Sequence, residues 1–163
     1  MLFRSKSCLV YGIEPSKKAC QFSKKIFNLN IENKTFYHSK FFKINKTTSG
    51  FFDIIIFDDV FSWIDRNIIL TTIAVTDSLL ANNGIIFIRD FCPNKMFAHP
   101  NHHHINNKIY NFKNKNGHKE FFLNSGKYQQ IYFKKYFSTK MQKIKIKNKQ
   151  SMLWSDTILK KIK

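Results

Sequence analysis

The densest run of ligand-type side chains is His99–Pro100–Asn101–His102–His103–His104. Imidazole nitrogens suit zinc or iron. Adjacent residues on an extended chain project in different directions, so these rings do not converge on one ion unaided. No Cys or acidic residue stands in place to complete a ligand set, and the run is read as a polar loop with no metal site. The thiols Cys8, Cys20 and Cys92 are irregularly spaced and form no CxxC pair. They read as free thiols in a reducing compartment. The carboxylates worth noting are Glu14 and the pair Asp58–Asp59, because each closes an apolar run. No spacing compels one residue to be a catalytic base, so the catalytic residue is unassigned.

Charge is the second feature. Lys+Arg number 28 against 10 Asp+Glu, a net +18. A basic surface attracts phosphate polyanions without reading sequence. Bidentate recognition of bases and phosphates usually falls to Arg, and Arg occurs only at Arg4, Arg66 and Arg89. A nucleic-acid partner is therefore possible but not favoured, and the Lys are read as solvated faces. The basic segment Lys140–Lys163, with interleaved Ile and Met, is read the same way. Hydrophobic residues make up 43% of the 163, which excludes a disordered chain. Met1–Leu9 is followed by no apolar signal region, and no apolar run is long enough to span a bilayer. A soluble, cytoplasmic, single-domain protein is expected.

The elements that must position these groups follow from the pattern. Cys8–Ile13 is a short apolar strand. Glu14–Pro15–Ser16 ends it, with Ser16 placed to cap a helix over Lys17–Phe27 that aligns Ala19, Phe22 and Ile26. Leu29–Phe36 reads as a second strand. Phe51–Phe57 is the clearest core strand, apolar almost throughout, as suits a parallel strand buried on both faces. A helix runs from Asp65 or Asn67 to about Leu80. Asn82–Asn83–Gly84 is a turn with Gly84 free to take positive φ, and Ile85–Ile88 is a further strand. Beyond it, Ile109–Phe112 and Glu120–Leu123 read as a hairpin turning at Asn116–Gly117. Tyr128–Tyr136 reads as helix or strand, Lys140–Lys149 as strand or linker, and Met152–Leu159 as a last strand. The order predicts an α/β, doubly wound sheet with an antiparallel C-terminal part.

Three blocks carry a resemblance: Tyr11–Gly12–Ile13–Glu14–Pro15–Ser16, Phe52–Asp53–Ile54–Ile55–Ile56–Phe57, and Leu79 through Asp90 with Asn82–Asn83–Gly84 at its turn. In this order and at these separations they resemble class I S-adenosylmethionine-dependent methyltransferases of the small methyltransferase-domain group. The likeness covers residues 8–92, the cofactor-binding part. Residues 93–163 would form a substrate-side loop, hairpin and C-terminal strands.

The resemblance implies a Rossmann-like sheet and S-adenosylmethionine as cofactor. Glu14 would accept hydrogen bonds from the ribose hydroxyls, with Pro15 and Ser16 shaping the loop beside the adenosine. Asp58 and Asp59 would face the methionine part and the methyl group. Phe61, Ser62 and Trp63 would line the pocket mouth, and Trp63, Asp90, His103 and His104 are the substrate-side candidates. The acceptor would be a small molecule or a peptidyl group. Cys92 falls where a cytosine-C5 RNA methyltransferase could hold a nucleophile, but the second Pro-Cys motif of those enzymes is missing and Cys92 is read as buried. The loop Asp58–Phe61 likewise lacks the Asp-Pro-Pro-Tyr-like signature of adenine methylation.

One departure stands out. Such enzymes open with a strand and a GxGxG-type loop some way before the position of Glu14. Only 13 residues precede Glu14, and Met1–Ser7 contains no glycine. The sheet is expected to lack its first strand and glycine loop, and activity would suffer. Loss of that strand would expose an apolar sheet edge through which the chain could self-associate. A non-catalytic, partner-binding fragment and a basic RNA-binding or RNA-methylating module are the alternatives.

Overall fold

The computed structural model describes residues 8–27, 30–42, 49–64, 67–94, 97–100, 110–113, 117–137 and 153–162. The chain divides into two compact units, Met1–Lys43 and Ile44–Lys163.

In the first unit, strand β1 (Tyr11–Ile13) runs parallel to β2 (Asn30–Glu32), joined by helix α1 (Lys17–Phe27). The Ser16 hydroxyl accepts the Ala19 amide at 3.3 Å, the N-cap that the sequence predicts. β2 is shorter than the predicted strand. A turn of 3-10 helix at Phe36–His38 follows it.

The second unit is built on a four-stranded sheet in the order β3 (Phe52–Asp58), β4 (Leu80–Phe91), β8 (Leu153–Lys161), β7 (Tyr128–Phe137). β3 and β4 are parallel and joined by α2 (Ile69–Leu79). β8 and β7 are antiparallel to their neighbours, so the C-terminal part is antiparallel as predicted. Burial alternates strictly along β8: Leu153, Ser155, Thr157, Leu159 and Lys161 point inward. On β4 the inward positions are Ile86, Ile88 and Asp90. The core joins Phe57, Phe61, Leu80, Ile86, Ile88, Phe122, Tyr128 and Leu159, with Ile69 and Ile73 of α2 packed against it.

Several sequence expectations are corrected. Among the described residues β3 pairs with β4 alone. Its Ile54 and Ile56 are 59% and 65% exposed, and residues two apart share one face of a strand, so that face of β3 is open and the strand is not buried on both faces. The positive φ near the start of β4 falls on Asn83 (63°), not Gly84. Gly84 is required for another reason: a Cβ there would lie 2.7 Å from Leu80 Cγ and 2.8 Å from the Ala81 carbonyl oxygen. The register slips between Phe52 and Ile54 at this point, which lets the turn residues join the strand. The helix α2 stops at Leu79, and Leu80 already belongs to β4.

The predicted hairpin does not form. β6 (Tyr110–Lys113) pairs antiparallel with β5 (Phe97–Pro100), and Lys119–Leu123 is a short helix, α3. His99 and Pro100 therefore sit in a strand and not in a loop. The run Phe121–Phe122–Leu123 has no period that separates helix from strand, and burial of Phe122 in the core decides it. The ambiguous Tyr128–Tyr136 stretch is strand. Lys140–Lys149 lies outside the described residues.

Candidate functional site

In the first unit the chemistry gathers where β1 ends. The Glu14 amide donates to the Glu32 carbonyl at 3.0 Å, which keeps Glu14 in line with the strand. One carboxylate oxygen, Oε1, accepts the Ser16 amide at 2.7 Å. The Asn33 side chain donates to the Glu14 and Pro15 carbonyls at 2.9 and 3.0 Å. These bonds pin the loop and aim the carboxylate, and among the described residues the Glu14 carboxylate takes a hydrogen bond only through Oε1. A carboxylate held by one oxygen at the carboxyl end of a parallel strand is the donor-free acceptor that a vicinal diol requires. The residues present fit a ribose.

In the second unit the polar groups gather at the carboxyl ends of β3 and β4. Asp58, the last residue of β3, is exposed and lies 3.8 Å from the Arg89 guanidinium. Arg89 is shared: its Nε donates to Asp156 at 3.0 Å, and the Tyr136 hydroxyl donates to the same Asp156 oxygen at 2.9 Å. The hydrogen bond to Asp156 holds the Arg89 guanidinium above its ordinary pKa, and the nearby Asp58 and Asp156 charges add to it. Burial and the Asp156 bond likewise push the Tyr136 hydroxyl up.

Asp59 follows with φ 56°, in the left-handed region, and donates its amide to the Arg89 carbonyl at 2.7 Å. The chain then forms one 3-10 turn over Phe61–Trp63. Ser62 is fully buried; its amide donates to Asp90 Oδ2 at 3.0 Å and its hydroxyl donates to Asp90 Oδ1. Trp63 is half-buried with its ring 6.4 Å from that of Phe91.

No protein-family model matches the sequence, and no curated protein sequence does. Solved structures do match. A 1,6-didemethyltoxoflavin-N1-methyltransferase from Burkholderia thailandensis, with 1,6-didemethyltoxoflavin and S-adenosylhomocysteine bound, superposes with a TM-score of 0.64 at 9% identity, over 95% of this chain and 62% of its own. A SAM-dependent methyltransferase from Methanosarcina mazei gives 0.59 at 11%, over 94% and 82%. The N-methyltransferase NodS from Bradyrhizobium japonicum WM9, in complex with S-adenosylhomocysteine, gives 0.57 at 9%, over 94% and 66%. The chain has the fold of the class I S-adenosylmethionine-dependent methyltransferases. It spans less than two thirds of the length of the Burkholderia thailandensis enzyme.

Within this methyltransferase fold the predicted residues separate. Glu14, Pro15 and Ser16 lie together at the end of β1. Asp58 closes β3, and Asp59 and Trp63 lie on the turn that follows it. Asp90 sits beside that turn with its carboxylate turned inward, 1% exposed, and is no surface group. His103 and His104 lie outside the described residues. Among the described residues no three His, Cys, Asp or Glu side chains gather to hold a metal ion. Among the described residues no helix is long and apolar enough to cross a membrane. Cys92 is fully buried, as expected.

Sequence reasoning missed His118. It is 1% exposed, its Nδ1 lies 3.9 Å from Asp90 Oδ2, and its ring stacks on Phe61 with centroids 5.3 Å apart. No local signal marks it. The one available hint was Asp90 itself, a polar residue at the inward period of Ile86 and Ile88.

Proposed function

We propose that this chain binds S-adenosylmethionine and serves methyl transfer to a small-molecule or peptidyl acceptor. The observation that carries the reading is the Glu14 carboxylate at the end of β1, fixed through Oε1 by the Ser16 amide. Shape alone would not suffice, because a fold is reused for many functions. Bound S-adenosylmethionine supplies the chemistry, since its sulfonium already carries an activated methyl group. The protein's part is to bind, to orient and to exclude water. Glu14 is assigned to the ribose hydroxyls, with Pro15 and Ser16 holding the loop that aims it. Asp58 and Asp59 are assigned to the donor's methionine part. Trp63, His103 and His104 are assigned to the acceptor. The fold match to enzymes with S-adenosylhomocysteine bound supports S-adenosylmethionine as the cofactor.

Calorimetric titration with S-adenosylhomocysteine tests the reading. Binding in the micromolar range is expected. Glu14→Ala should weaken it about 10- to 100-fold, the loss expected for hydrogen bonds to a charged group. A folded protein that does not bind, or binding that Glu14→Ala leaves unchanged, would remove the assignment.

A further inference from the structure

We propose that Asp90, Ser62 and His118 are positioning residues that hold the turn Asp59–Trp63 in a single shape. The proposal rests on the methyl-transfer reading above, because that turn carries the residues assigned to donor and acceptor.

The turn needs holding. Asp59 has φ 56°, a left-handed conformation that Asp and Asn tolerate better than other residues with a Cβ but that still narrows the backbone choices of the turn. The turn is held from β4 at two points. The Asp59 amide is bonded to the Arg89 carbonyl at 2.7 Å, and three residues later the amide and hydroxyl of Ser62 both bond the Asp90 carboxylate. The Phe91 amide adds a third donor to that carboxylate at 2.7 Å, fixing it against its own strand. Asp90 thus gathers donors from both sides of the space between the ends of β3 and β4.

His118 packs against the same cluster. Its Nδ1 lies 3.9 Å from Asp90 Oδ2, and its ring lies flat against Phe61, the residue before Ser62. Gly117 delivers it there. With φ 75°, Gly117 packs so closely that a Cβ would meet Ser155 Oγ at 3.3 Å and Cys92 Sγ at 3.7 Å.

Two arguments separate positioning from other roles. Ser62, Asp90 and His118 are 0%, 1% and 1% exposed, so the role assigned to them is to hold the turn and not to present a surface. A buried carboxylate is also a poor choice for stability alone. The inward period of β4 runs Ile86, Ile88, Asp90, and a third apolar residue would spare the desolvation of a charge. The polar choice falls at the carboxyl end of two adjacent parallel strands, where open α/β sheets meet their ligands.

The experiment uses the full chain with Trp154→Phe, so that Trp63 is the sole tryptophan. Asp90→Asn, Ser62→Ala and His118→Phe are compared by thermal melting, amide hydrogen exchange at Asp59 and Ser62, acrylamide quenching of Trp63, and S-adenosylhomocysteine affinity. His118→Phe keeps an aromatic ring against Phe61 and removes the nitrogen beside Asp90. In folded Asp90→Asn, Ser62 exchange should quicken by about tenfold or more, Trp63 should quench more readily, and affinity should fall about tenfold. His118→Phe should move all three in the same direction by less. Exchange and quenching at wild-type rates in the folded variants would overturn the proposal, as would a loosened turn with unchanged affinity. If the unmutated chain does not bind S-adenosylhomocysteine, the methyl-transfer reading fails, and exchange and quenching still decide whether the turn is held. Should Asp90→Asn fail to fold, Ser62→Ala, which removes only the hydroxyl donor, decides it.

Discussion

Two polar clusters lie at opposite ends of β4, made of similar residues and put to different use. At the carboxyl end, Asp90 binds Ser62 and faces His118, and the cluster holds a turn with a left-handed Asp59. At the amino end, Lys161 of β8 donates to the Asp77 and Leu80 carbonyls at 2.6 and 3.1 Å. These carbonyls belong to the last turn of α2 and the start of β4, where backbone acceptors lack helical partners. The Asp77 side chain accepts from the Tyr128 hydroxyl at 2.7 Å and pairs with Lys161 and Lys127, both at 3.3 Å. The amino-end cluster thus ties α2, β4, β7 and β8 together. A charge in the interior is not by itself a sign of function. Its location at one end or the other of the parallel strands tells the two apart.

Phe122 bridges the clusters. Its ring contacts Tyr128 of the amino-end group at 5.2 Å and Phe61, which stacks on His118, at 6.2 Å. Phe122→Ala should therefore injure both, with the largest loss expected here, about 3–5 kcal/mol in urea unfolding. A loss below about 1 kcal/mol would mean that the site collapses freely and that the clusters are independent.

Lys161→Met should act on one cluster only. It strips the ammonium from two backbone carbonyls and from Asp77 while keeping the apolar stem, at about 2 kcal/mol of stability. The affinity of the folded protein for S-adenosylhomocysteine should stay unchanged. A drop in affinity at constant fold would erase the distinction between the two ends.

The smallest effect is one of pH. Burial alone would raise the Asp77 carboxyl, but the Tyr128 hydroxyl and the Lys161 and Lys127 ammonium groups outweigh it and hold the pKa below the ordinary 3.8. A carboxyl lowered in the folded state adds stability that is complete above the unfolded value and fades as pH falls through the folded one. Wild type should exceed Asp77→Asn in stability at neutral pH and converge with it on acidification below about pH 4. A difference that persists to the lowest pH at which the protein folds would show that the carboxylate's charge is not what stabilises the amino end.

What was legible in the sequence was what neighbouring residues decide among themselves. Ser16 announces a helix start, the apolar run Phe52–Phe57 announces a strand, and the three spaced blocks announce the α/β order and, by resemblance, the methyltransferase fold. The Glu14 loop was legible for the same reason, since its partners Ser16 and Asn33 lie within 19 residues. Where the local pattern was ambiguous it misled: Asn83 and not Gly84 takes the left-handed turn, and Glu120–Leu123 joins a helix and not a hairpin. The sheet order β3-β4-β8-β7 brings Lys161 to a carbonyl 84 residues earlier and sets Ser62 against Asp90 from 28 residues away. Periodicity records which side of an element is buried. It does not record which element will lie against that side, and so the positions of Asp90, Ser62 and His118 were decided by the tertiary structure alone.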